Sequence, residues 1–128
     1  SRPVYHYNWF GHEQYVATGT PLSPGNHVII VEFAYDGGLG GSGNVALLVD
    51  GVLVGQARVA KTVPIVFSIS GETFDVGIDT GSPVGPYDHG YAFTGSITTV
   101  LCERLSEPPP EIARLIAEGE FRASLATQ

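Results

Sequence analysis

Three aspartates and a histidine crowd the stretch FDVGIDTGSPVGPYDHGYAFTGSI at residues 74–97: Asp75, Asp79, Asp88 and His89. Carboxylates set among glycine turns suit calcium, which takes about six to eight oxygen ligands. Asp75 and Asp79 are the pair that could hold such an ion. The alternating acids of an EF-hand loop are missing, however. Asp79 precedes Thr80-Gly81, and Asp88 precedes His89-Gly90. Asx-turn chemistry explains both positions, because a short carboxylate can bond its own backbone two residues on. The expectation is that these aspartates shape turns, that no residue is a metal ligand, and that no cofactor is bound.

The second cluster is at the other end of the chain. His6, Tyr7, Asn8 and Trp9 lie in the run PVYHYNWF. A His or Tyr base beside an amide that neutralises a carboxylate is the layout of a small sandwich lyase or isomerase. Tyr5, Tyr7, Trp9, Phe10 and Tyr15 could instead stack on the apolar faces of sugar rings. The plainer reading is an aromatic first strand packed in a core. His12 and His27 complete the histidines, and no two of the four stand at the spacing of a zinc pair. His27 opens a strand and reads as a structural histidine with its hydrogen bonds satisfied. Cys102, the single cysteine, sits in Val100-Leu101-Cys102 and reads as a buried structural thiol. The loop DGGLGGSG has neither the following helix nor the Lys-Ser/Thr of a phosphate cradle.

Composition narrows the partners. The net charge is −7, with three Lys/Arg against eight Asp/Glu before residue 103 and three against five after it. A basic patch for nucleic acid or an anionic membrane has nothing to be built from. No run reaches the ~18 apolar residues of a membrane-spanning helix. With 128 residues, 17 glycines and only 15 % charged residues, the chain can bury one domain's core between many turns.

The elements that must position these residues follow from a period of two. In HVIIVEFAYD, His27, Ile29, Val31, Phe33 and Tyr35 share one face, which predicts a strand with one core side. Asp50-Gly51 between two apolar runs predicts a tight hairpin. Further strands are expected in PVYHYNWF, QYVAT, VPIVFSI, TFDVGI and FTGSITTVLCERL, about eight in all. The class is all-β, an antiparallel sandwich over residues 1–105. Residues 106–128 form a Pro-rich linker and a short C-terminal helix, in which Ile112, Leu115, Ile116, Phe121 and Leu125 recur at helical spacing. Such a helix must dock on this sandwich, a second copy or another domain to persist.

YNWFGHEQY, VDGVLVGQARVAKTVPIVFSI and ETFDVGIDTGSPV…FTGSITTV together resemble the C-terminal region of large bacterial arylsulfatases, over about residues 5 to 102. FDVGIDTGSPV is the most specific piece. The resemblance implies a concanavalin-like jelly roll. It also implies a domain rather than an active site. Sulfatases form their nucleophile from a cysteine in C-x-P-S-R, whereas Cys102 is followed by Arg104 at plus two and Ser106 at plus four. None of the family's calcium or sulfate ligands has a counterpart here.

Three functions follow as expectations. The first is a non-catalytic accessory domain that packs on and supports a sulfatase catalytic domain, in the same chain or a partner chain. The second is a free-standing module for carbohydrate or sulfated ligands. The third is a small lyase or isomerase using His6 and nearby tyrosines. A homo-oligomer is open under each. Whether the chain is a piece of a longer one, and whether it works in the cytoplasm or the periplasm, the sequence leaves open.

Overall fold

The computed structural model describes residues 1–64, 74–87 and 92–104, together with Pro110, Arg114, Ala117 and Glu118. The described chain is all-β, with two antiparallel sheets. Strands β1 (Val4–Trp9) and β2 (Glu13–Thr18) form a hairpin. Strands β3 (Ile29–Tyr35), β4 (Gly43–Val49) and β5 (Val52–Val59) form a meander with β4 in the middle.

The turns follow from residues that tolerate positive φ. Asp50 (φ 50°) and Gly51 (φ 81°) join β4 to β5 with Val49 opposite Val52. Two central residues at positive φ give a turn whose twist matches that of the strands. This is the hairpin that the Asp-Gly pair predicts. At the tip of the first hairpin, Phe10 (φ 52°) and Gly11 (φ 74°) do similar work, and the His12 amide donates to the Trp9 carbonyl at 3.0 Å.

The core lies where the hairpin crosses the meander. Tyr5, Tyr7, Tyr15 and Ala17 occupy one face of the hairpin, as the pairings Tyr5–Ala17 and Tyr7–Tyr15 require. They meet Val45, Ala57 and Val59 from the meander. On the opposite face of the meander, Ala46 and Leu48 pack with Leu53. Strand β4 is thus buried from both sides, and its NVALLV run lacks the polar alternation of an edge strand. The sheets approach closely at two glycines. A Cβ on Gly55 would stand 2.8 Å from the Thr18 carbonyl oxygen, and one on Gly19 would stand 2.8 Å from Pro3 Cγ and 2.9 Å from Val54 Cγ2. Beside Gly55, a bulge at Leu47/Leu48 shifts the register so that Leu47 faces Gly55 and Leu48 faces Leu53.

Four expectations are corrected. The face of β3 that carries Ile29, Val31, Phe33 and Tyr35 is not a core face, since each residue is between 36 % and 49 % exposed. The hairpin lies over β5 and β4, and β3 is at the far edge of its sheet. Alternation reports that a strand has two unlike faces and says nothing of which is covered. FTGSITTVLCERL makes no strand in its described part. Ala92 bridges Ile78 and the Phe93 amide donates to the Gly77 carbonyl at 2.7 Å, after which residues 94–104 run without a ladder. Cys102 is accordingly exposed, not buried. The described part of TFDVGI, residues 74–78, shares that single bridge at Ile78 instead of forming a strand.

The strand expected at 63–69 lies beyond Pro64 outside the described residues, and so does most of the expected C-terminal helix. Pro110, Arg114, Ala117 and Glu118 have helical backbone, and Arg114 Nε stands 3.9 Å from Glu118 Oε1.

Candidate functional site

The four residues singled out near the N-terminus divide into two pairs on opposite faces of β1. Successive side chains of a strand point to opposite faces. Tyr7 therefore lies on the core side, and His6 and Asn8 on the other. The Tyr7 hydroxyl accepts the Val63 amide at 2.8 Å, and Trp9 Nε1 donates to the Thr62 carbonyl at 3.3 Å. These two bonds hold the segment after β5 against the hairpin. On the outer face, His6 Nε2 meets Gln14 Oε1 at 2.7 Å. Asn8 Nδ2 donates to the Val84 carbonyl at 3.1 Å, while its Oδ1 accepts the Gly11 amide at 2.7 Å. Gly85 passes so near that a Cβ there would stand 2.8 Å from His6 Nδ1. Asn8 is thus occupied on both sides of its amide, and a base–amide pair of Tyr7 and Asn8 is split between two faces.

The structure assembles a different cluster at that end of the hairpin. Glu13 accepts from Lys61 Nζ at 2.7 Å and from the Tyr15 hydroxyl. Lys61 also lies 4.6 Å from the Trp9 ring centroid, within cation–π range. Phe10 meets the edge of Trp9 at 5.3 Å, and His12 is 6.2 Å from it. The Lys61 ammonium, then the Tyr15 hydroxyl, holds the Glu13 carboxyl below its ordinary range. The bond to Glu13 raises the Tyr15 phenol. Deeper in, burial, reinforced by Tyr7, pushes Tyr5 up to about 12. Neither phenol is poised to act as a base near neutrality. What the cluster offers is an aromatic surface beside a cation whose charge is balanced by Glu13. Lys61 is one of six Lys/Arg in the chain, and that scarcity was the one sequence signal for it.

The aspartates are engaged locally. Asp75 Oδ2 accepts the Thr80 amide at 2.9 Å and the Thr80 hydroxyl at 2.7 Å. Asp79 Oδ1 accepts the Gly81 amide at 3.2 Å, and its Oδ2 accepts the Tyr87 hydroxyl at 2.6 Å. The Tyr87 hydroxyl also accepts the Val84 amide at 3.1 Å. This is turn geometry, with carboxylate lone pairs directed at nearby donors. Asp88 and His89 lie outside the described residues. Among the described residues, no group of three or more His, Cys, Asp or Glu is placed to share a metal ion.

No family model, curated protein or solved structure matches this chain.

Two further polar networks tie loops to the meander, and the second gives His27 the satisfied structural role expected of it. Arg58 donates to Asn44 Oδ1 across the β4–β5 pair at 3.0 Å, and to Asp36 Oδ2 and Ser42 Oγ at the root of the glycine loop. Thr62 caps that loop from the other side, its hydroxyl donating to the Gly41 carbonyl at 2.7 Å. The loop is thus a pinned connection between β3 and β4. His27 bridges the start of β3 to Asp50 at 2.7 Å.

Proposed function

We propose that this chain is a concanavalin-like jelly-roll sandwich that serves as a non-catalytic accessory domain of an arylsulfatase-like hydrolase, packing on and supporting a sulfatase catalytic domain. Two things support the reading. The sequence segments at residues 7–15, 49–69 and 72–100 resemble the C-terminal region of such enzymes. The observation that carries it is the uncovered apolar face of β3, where Ile29, Val31, Phe33 and Tyr35 stand side by side. Contiguous apolar surface on a soluble domain marks a place where another surface sits. The polar groups near it are spent on internal bonds, which suits a packing face better than a reacting one.

The test is co-expression with a formylglycine-type arylsulfatase catalytic domain. The expected result is co-purification, a raised melting temperature, and turnover of a nitrophenyl sulfate only when the catalytic domain is present. Val31→Asp on the open face abolishes co-purification while the isolated chain stays folded. Turnover by the chain alone, or no association at all, overturns the reading.

One observation favours a second reading, a free-standing module for carbohydrate or sulfated ligands. Trp9 and Phe10 cluster at the hairpin tip with Lys61 beside them, a cation next to a stacking surface. Binding of the isolated chain to sulfated glycans, lost in Trp9→Ala, selects this reading over the first.

A further inference from the structure

We propose that His27 is held as the imidazolium and latches the loop 19–27 to the β4–β5 turn in a pH-dependent way. Its two ring nitrogens both face acceptors. Nδ1 stands 2.7 Å from Asp50 Oδ2, and Nε2 stands 2.6 Å from the Ser23 carbonyl oxygen. Neither a carboxylate nor a carbonyl can donate, so both contacts are hydrogen bonds only when both nitrogens carry protons. Asp50 is well anchored for this role. Its Oδ1 accepts the Val28 amide at 2.9 Å, and its own amide donates to the Val28 carbonyl at 2.9 Å. The imidazole side chain is largely covered.

Asp50 is the charged group that faces the ring from the β4–β5 turn. Residues 19–26 carry no ionisable side chain, and Val28 and the start of β3, Ile29 to Val31, are apolar. With the carboxylate fixed on Nδ1, loss of the proton falls on Nε2. A neutral Nε2 would point its lone pair at the Ser23 carbonyl, so that contact is the one that parts. The ring stays on Asp50, and the loop around Ser23 and Gly25 is released. The His27 value is raised by the Asp50 carboxylate first and the Ser23 carbonyl second. A raised native value means that the latch is fully engaged below the unfolded value of about 6.5 and lost as pH rises through the native one. The loop leads directly into β3.

Imidazole nitrogen NMR on the intact chain from pH 5 to 9 tests this. The expected result is a His27 midpoint above about 6.5. Both nitrogens are protonated below it, and Nε2 is the one that deprotonates. The Ser23, Gly25 and Asn26 amide signals move with the same midpoint while the Val28 amide does not. Asp50→Asn brings the midpoint down to or below about 6.5. A wild-type midpoint at or below that value, a tautomer that keeps the proton on Nε2, or loop amides indifferent to it overturns the proposal. These readouts come from the wild-type chain, so a poorly folded Asp50→Asn leaves the proposal exposed to refutation.

Discussion

Gly55 on β5 lies against the carbonyl of Thr18 on β2, so near that the smallest side chain would stand 2.8 Å from that oxygen. The hairpin and the meander touch backbone to backbone there. Gly55→Ala should therefore force the sheets apart and destabilise the fold by about 1–3 kcal/mol, the usual cost of overpacking. Chemical denaturation gives the value. An unchanged midpoint would show that the sheets can separate freely.

Tyr7 and Val63 give a second test. The phenol accepts a part-buried backbone amide across 56 positions of sequence. Tyr7→Phe keeps the ring in the core but leaves that amide without its partner, which costs about 1–3 kcal/mol. The amide of Val63 should also exchange with solvent much faster in the variant. Protection equal to that of the wild type would mean that another group holds it.

The β4–β5 turn tests backbone chirality. Gly51 sits at φ 81°, where an L side chain is strained. Gly51→Ala should cost roughly 1–2 kcal/mol. Gly51→Asn, which enters that region more readily, should cost less. Equal losses in the two variants would rule out conformational strain as the cause.

Acid stability follows from three carboxylates. Glu13 is lowered by Lys61 and then Tyr15, Asp36 by Ser42 and then Arg58, and Asp50 by His27 and then the Val28 amide. Depressed native values mean that the stabilisation is present above the unfolded values near 4 and lost as pH falls through the native ones. The melting temperature should decline below about pH 4. Asp36→Asn should make the decline shallower. A melting temperature constant from pH 5 to pH 2 would contradict this.

Chelation tests the aspartates. The carboxylates of Asp75 and Asp79 already accept from Thr80, Gly81 and Tyr87. A chelator should leave the melting temperature where it was. A drop that calcium reverses and magnesium does not would show a bound ion stabilising the native state by mass action.

The sequence by itself determined the β class and the local turns. Asp50-Gly51 could only be a tight hairpin, because few residues accept positive φ and these two stand between apolar runs. β1 to β5 were legible from local signals: the aromatic run of β1, the short QYVAT run, the alternation in β3 and the apolar runs on either side of Asp50-Gly51. Which face of a strand becomes core is not local. Ile29, Val31, Phe33 and Tyr35 alternate as cleanly as any buried set, yet the hairpin crosses β4 and β5 and leaves them exposed at the sheet edge. FTGSITTV has the residues of a strand but finds no ladder beyond Phe93, so Cys102 is left in solvent. His6, Tyr7, Asn8 and Trp9 are adjacent in sequence but split into His6 with Asn8 and Tyr7 with Trp9, since a strand sends neighbours to opposite faces. Lys61 and Glu13 are 48 positions apart in sequence, yet their charged atoms are in contact at 2.7 Å. Composition and spacing carry no record of such pairs. Only the docking of one sheet on the other decides them.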